Sequence, residues 1–166
     1  LRGFAVLLSS GELPSIGALL SKRRSQAEFR WTALLAALDD HWRRSARIAD
    51  LPEAVWSAGL AVALLCPVYV EVDSHPRVLE HVWFSPLLEA KPKLAIQTYE
   101  TVLAAELALG GHELRALSAL ENVELAGQDR GKAIVRVLQA HPRMAEYDLL
   151  RMLRLCKAEG CWSDLP

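Results

Sequence analysis

Residues 25–42, SQAEFRWTALLAALDDHW, contain the clearest helix pattern of the chain. Ser25 and Glu28 have the spacing of a capping box, in which each side chain accepts a hydrogen bond from the other residue's backbone N–H. Apolar residues then recur at helical spacing, at Trp31, Leu34, Leu35, Leu38 and Trp42. The pattern predicts a helix with one apolar face, which must pack against other elements.

A second capping arrangement follows at Asp50 and Glu53, on either side of Pro52. Proline is tolerated in the first turn of a helix, so these residues predict the start of an apolar helix that ends near Pro67. The uncharged run of residues 54–70 has 17 residues and contains Pro67, whereas a helix that spans a membrane needs about 20. We therefore expect a buried helix and no membrane span.

Valines alternate with other residue types over positions 68–73. The alternation is typical of a strand or an extended linker, but a single strand has no partner with which to pair. The sequence therefore predicts a loop there, followed by a short helix that begins at Ser74 and Pro76 and reaches Trp83. Further helices are predicted to begin near Ser85, Pro92 and Asp129, and a last one to span residues 143–157, with glycines at 110, 127 and 160 ending three of the helices.

The composition agrees with packed helices, because leucine (30 residues) and alanine (24 residues) make up about a third of the chain, and 52% of all residues are hydrophobic. We predict an all-α fold of about 7–9 helices in antiparallel pairs, forming one domain over residues 1–166. The pairs recur at roughly 35 to 40 residues, a spacing shared by helical repeats and irregular bundles, so both architectures stay open. The chain starts at Leu1 without an initiator methionine, which predicts a processed form or a fragment of a longer chain.

Charge is distributed unevenly along a chain whose formal net charge is only -1. Residues 1–50 carry a net +3, residues 51–125 a net -6 and residues 126–166 a net +2. Such a chain has no global field for polyanions, which argues against strong nonspecific nucleic-acid binding, but it permits a local basic surface.

The best candidate for that surface is a basic cluster near the N-terminal end of the chain. Its members are Lys22, Arg23, Arg24, Arg30, Arg43, Arg44 and Arg47. Guanidinium groups bind phosphate or carboxylate through paired donors, so we predict that the cluster contacts a protein partner or RNA. Trp31 and Trp42 either form a base-stacking platform beside the arginines or, as we favour, lie in the core while the arginines are solvated.

Three cysteines, Cys66, Cys156 and Cys161, form an odd set in a chain able to build its own core, which predicts reduced thiols in a reducing intracellular compartment. No nearby histidine completes a zinc site with Cys156 and Cys161. His75 and His81 are six positions apart and therefore on different sides of a helix. We predict no metal and no cofactor.

Enzyme signatures are absent from the sequence, which has no GxSxG, HExxH, CxxC or GxGxxG motif. We therefore predict a non-enzymatic protein, while a weaker hypothesis gives acid–base chemistry to His75 with Asp73 and Glu71. The first hypothesis is a non-enzymatic helical scaffold. The alternative is a small-molecule-binding or regulatory α-domain, with a pocket between helices near Trp56, Tyr69 and Trp83.

One stretch resembles a known family. VLEHVWFSPLL at residues 78–88 lies between an apolar helix at residues 56–66 and ETVLAAELALGGHEL at residues 100–114. This succession resembles the helical region of FAST-kinase-like (RAP-type) proteins. The resemblance implies a mitochondrial helical-repeat protein that acts in organellar RNA metabolism or ribosome assembly, without kinase chemistry. We therefore predict a helical scaffold within a larger assembly, with other protein subunits as its partners and RNA as a second partner.

Overall fold

The computed structural model describes residues 13–21, 29–66, 69–72, 75–78, 81–110, 114–122 and 129–164. Those residues form eight α-helices, two short 3-10 turns and one two-stranded hairpin. The all-α class and the expected number of helices are confirmed. The chain divides into two compact units, Leu1–Lys91 and Pro92–Pro166.

In the first unit, helix α1 spans Ile16–Ser21, α2 spans Phe29–Ser45, α3 spans Glu53–Leu65 and α4 spans Phe84–Ala90, with a 3-10 turn at Ile48–Asp50. Helix α3 packs against both α1 and α2, and α4 packs against the 3-10 turn. The apolar face predicted for α2 is buried at Trp31, Leu34, Leu35 and Leu38. The capping box predicted at Ser25 and Glu28 lies outside the described residues.

The second predicted capping box is wrong, although the helix beside it is correct. Helix α3 begins at Glu53, but its N-cap residue is Pro52 and no side chain caps it. Asp50 belongs instead to the 3-10 turn that precedes α3. The residue spacing therefore predicted where α3 begins, but it did not predict which groups accept the hydrogen bonds of the first backbone N–H groups.

The loop and short helix predicted over residues 68–83 are also wrong. Strand β1, Tyr69–Val72, pairs antiparallel with strand β2, His75–Val78, in a register that places Tyr69 opposite Val78 and Glu71 opposite Pro76. Strand β2 is the pairing partner of β1, and the sequence pattern had not indicated it. Pro76 is compatible with β2 because both strands of a two-stranded sheet are edges.

Gly59 allows α3 to approach α2 closely. A Cβ atom built at Gly59 would lie 2.3 Å from Cδ1 of Leu38 and 3.5 Å from Cη2 of Trp83. Leu38 and Trp83 are fully buried in a close-packed interior. A side chain at position 59 therefore requires Leu38 to shift or the two helices to separate.

We predict that Gly59→Ala lowers the free energy of unfolding by about 1–3 kcal/mol, because overpacking strains a filled core. Gly17→Ala in α1 is the matched control, since no atom lies within 4 Å of its added Cβ. The control is expected to be neutral or to stabilise by up to about 1 kcal/mol through helix propensity. Urea unfolding followed by circular dichroism measures both, and equal effects of the two variants would contradict the close approach.

In the second unit, α5 spans Pro92–Ala108, α6 spans Arg115–Asn122, α7 spans Asp129–Ala140 and α8 spans Glu146–Ala158, followed by a 3-10 turn at Trp162–Asp164. Helix α5 packs against α6 and α7, and α7 packs against α8. Gly110 and Gly160 have φ angles of +65° and +69°, which confirms their predicted roles after α5 and α8. Gly127 lies outside the described residues, and α8 begins three residues later than predicted.

Glu106 holds the start of α6 from a neighbouring helix. Its carboxylate accepts the backbone N–H of Arg115 at 3.1 Å and that of Ala116 at 3.0 Å. Glu106 is 5% exposed, so these bonds replace contacts with water. A carboxylate at a helix N-terminus also interacts favourably with the helix dipole, which stabilises an eight-residue helix that is short for independent stability.

We predict that Glu106→Ala lowers the free energy of unfolding by about 2–3 kcal/mol, because two buried N–H groups lose an ionised acceptor. Glu106→Gln retains one acceptor oxygen and is expected to lose about half as much. Chemical denaturation of both variants provides the measurement. A loss below about 0.5 kcal/mol in Glu106→Ala would show that α6 does not depend on this cap.

Candidate functional site

Three exposed arginines lie together in sequence at the C-terminal end of α2, which we call the basic end of α2. Arg43 and Arg44 occupy the last helical turn and Arg47 lies two residues beyond it. Arg44 forms an ion pair with Asp40 one turn earlier, at 3.0 Å. Within the described part of the chain, neither Arg43 nor Arg47 forms an ion pair. Two guanidinium groups are therefore available to an anionic partner.

A small polar network fixes the chain where α2 ends. Ala46 has a φ angle of +52°, and its N–H donates to the carbonyl of Trp42 at 2.9 Å, which closes the helix. The Ser45 hydroxyl donates to the carbonyl of His41 at 3.2 Å and accepts the N–H of Arg47 at 3.3 Å. The backbone of Arg47 is thus held beside the last turn of α2, so the basic end has a defined geometry.

The side chains of the other members of the predicted basic cluster are not described. Lys22, Arg23 and Arg24 lie outside the described residues. Arg30 belongs to the first turn of α2, and its side chain is not among those described. Of the predicted cluster, the structure therefore describes the side chains of Arg43, Arg44 and Arg47, all of them exposed.

The two tryptophans near the cluster have different environments. Trp31 is 1% exposed and belongs to the core, as favoured from the sequence. Trp42 is partly exposed in the last turns of α2. A buried indole has no face available to a nucleobase, so Trp31 does not contribute to a stacking platform.

Two of the three residues predicted to line a pocket lie side by side in the interior of the first unit. Trp56 and Trp83 are both fully buried, and their ring centroids are 5.7 Å apart. The Trp56 indole N–H donates to the carbonyl of Ile48 at 2.9 Å, which ties α3 to the 3-10 turn. Tyr69 lies in β1, and its side chain is not described. Trp56 and Trp83 thus belong to the core of the first unit.

Asp39 and His81 form a pair that the sequence analysis missed. Oδ2 of Asp39 lies 2.9 Å from Nδ1 of His81, and Oδ1 accepts the N–H of Val82 at 3.2 Å. The His81 ring stacks on Trp83, with centroids 5.5 Å apart. Because 42 residues separate Asp39 from His81, no local spacing could indicate the contact. The pair anchors the segment before α4 to the middle of α2.

This geometry gives His81 a structural role. Its described polar contact is Asp39, and its side chain is 6% exposed. The side chains of His75 and Glu71 are not described, and Asp73 lies outside the described residues, so the acid–base hypothesis for them stays a prediction. Among the described residues, no three metal-ligating side chains come together. The helices described here also include none that is long and apolar enough to cross a membrane.

We predict that Asp39→Ala lowers the free energy of unfolding by about 2–3 kcal/mol, because it leaves the buried imidazole and the Val82 N–H without their acceptor. Asp40→Ala is the matched control, since it removes only the exposed ion pair with Arg44 and is expected to cost about 0.5 kcal/mol or less. Urea unfolding compares the two variants. Equal losses would contradict an anchoring role for Asp39.

No protein-family model, no curated protein and no solved structure matches the chain. The comparisons with known proteins therefore assign no function to the basic end of α2.

Proposed function

We propose that the chain is a non-enzymatic helical interaction module that binds a polyanionic partner, RNA, through the basic end of α2. The observation that carries the proposal is the exposure of Arg43, Arg44 and Arg47 at a helix end whose backbone is fixed by hydrogen bonds. Arginine presents its donors in a fork that matches a phosphate group. A chain with no global positive field needs such a local site to bind RNA at all.

The packing inside the first unit favours an interaction module rather than a small-molecule-binding domain or an enzyme. Trp56 and Trp83 contact each other in the core, so their burial stabilises the fold rather than the binding of a ligand. His81 is turned toward Asp39, and the Ser45 hydroxyl is bonded at the end of α2. These polar groups stabilise the backbone that displays the arginines.

The resemblance to FAST-kinase-like proteins supports RNA as the class of partner and the mitochondrial matrix as the location. Under this proposal the helices act within a larger ribonucleoprotein assembly. Other faces of the helices would contact protein subunits, while the basic end of α2 contacts phosphates.

Binding of a fluorescein-labelled single-stranded RNA, followed by fluorescence anisotropy across a salt series, tests the proposal. The Arg43→Ala/Arg47→Ala variant is expected to bind more weakly, and the slope of log K against log salt is expected to fall by about 1.4, since each phosphate contact contributes about 0.7. Arg44 is left unchanged because it pairs with Asp40.

The matched control is Arg143→Ala/Arg154→Ala, which removes two exposed arginines from the second unit. Its net charge equals that of the Arg43→Ala/Arg47→Ala variant. The control is expected to keep the affinity and salt slope of the parent chain. Identical losses in both double variants would indicate nonspecific attraction, and an unmodified chain that binds no RNA would overturn the proposal.

A further inference from the structure

The C-terminal end of α8 places two cysteines next to each other. Gly160, with φ of +69°, donates its N–H to the carbonyl of Lys157 at 3.2 Å. The N–H of Cys161 donates to the carbonyl of Cys156 at 3.0 Å. These two bonds define a Schellman motif, in which the side chains at the positions held by Cys156 and Cys161 normally touch.

The thiols meet in a buried environment. Cys156 is fully buried and Cys161 is 7% exposed. The Cys161 thiol donates to the backbone carbonyl of Cys156 at 3.3 Å. Burial, with the neighbouring Cys161 side chain adding to it, raises the pKa of the Cys156 thiol to about 12. Both residues are reduced in this structure.

The first turn of α7 covers the pair. A Cβ atom built at Gly131 would lie 3.1 Å from Sγ of Cys161 and 3.2 Å from Cβ of Glu159. Arg130, also in that turn, forms an ion pair with Glu159 and donates to the carbonyl of Leu120 at 3.0 Å. The end of α8 is therefore held in place from outside, which keeps Cys156 and Cys161 in register.

We propose that Cys156 and Cys161 are a reversible oxidation site, at which a small-molecule disulfide of the glutathione type converts the two thiols into an intramolecular disulfide. Backbone groups already fix the two residues at the separation that the Schellman motif imposes, so bond formation requires rotation of the side chains rather than movement of the chain. Cys66 is the third cysteine of the chain and belongs to the first unit, at the end of α3.

The reaction proceeds in two exchanges. The Cys161 thiolate attacks one sulfur of the glutathione disulfide, forms a mixed disulfide and releases one glutathione thiolate, which takes up the proton that Cys161 lost. Cys156 then loses its proton and attacks Sγ of Cys161, which breaks the mixed disulfide and releases the second glutathione as a thiol. Two protein thiols are oxidised, and one glutathione disulfide is reduced to two thiols.

The order of attack follows from exposure. Cys161 retains some exposure whereas Cys156 has none. The raised pKa of Cys156 also disfavours its thiolate in the first step. Cys161 is therefore the thiol that meets the oxidant, and Cys156 is the thiol that resolves the mixed disulfide.

The test equilibrates the full chain with oxidised and reduced glutathione, stops exchange with acid, denatures the protein and alkylates it with N-ethylmaleimide before measuring the intact mass. The reduced chain is expected to take up three adducts and the oxidised chain one. In Cys66→Ser the numbers become two and none, and peptide mapping is expected to recover Cys156 linked to Cys161.

Single variants separate the two roles. Cys156→Ser is expected to stop as a mixed disulfide of Cys161 with glutathione, while Cys161→Ser acquires no glutathione at Cys156. Gly160→Ala strains the left-handed position by about 1 kcal/mol, so it is expected to lower the equilibrium constant for ring closure by up to about fivefold. Circular dichroism checks that each variant is folded.

Two results would overturn the proposal. One is an unmodified chain that keeps three alkylatable thiols at every glutathione ratio. The other is an unmodified chain that accumulates the mixed disulfide of Cys161 without closing the ring, since the thiols would then not be within reach of each other.

Discussion

The close approach of α3 to α2 at Gly59 is the constraint on which the first unit depends. With no side chain at position 59, Leu38 fills the space between the helices and Trp83 reaches the same point. Trp56, on α3, then contacts Trp83 and donates its indole N–H to Ile48. Burying one such indole contributes roughly 4–6 kcal/mol from area alone, as an upper estimate, so this contact stabilises more than any surface pair.

Helix α2 packs in the core along one face and exposes arginines to solvent at its C-terminal end. The apolar face of α2 is committed to the core, and Asp39 in its middle binds the segment before α4. The last turn carries Arg43 and Arg44 into solvent. A rigid helix held at its centre presents its end at a constant position, which lowers the ordering cost of binding a partner there.

Much of the helical fold could be predicted because the sequence marks it locally. Apolar residues at helical spacing identified α2, and Pro92 and Gly110 marked the two ends of α5. The hairpin was missed because each strand has only four residues, and Pro76 in the second is also typical of a helix start. Pairing between strands is information that neither strand contains alone.

The site was predicted only in part, for reasons that differ between residues. The sequence could indicate Arg43, Arg44 and Arg47 as a candidate because charge clustering is visible in it, and the structure shows all three exposed. The contact of Asp39 with His81, in contrast, joins residues 42 positions apart. The Cys156 and Cys161 pair did leave a signal, since a glycine just after a helix places the next residue against the final turn.

Isolation of the native protein under mild conditions tests whether the chain acts inside a ribonucleoprotein assembly. Its molecular mass and its ultraviolet absorbance ratio are recorded before and after ribonuclease treatment. We expect a large particle that becomes smaller and loses absorbance at 260 nm after digestion. A species whose mass and absorbance ratio ribonuclease leaves unchanged would rule out the assembly.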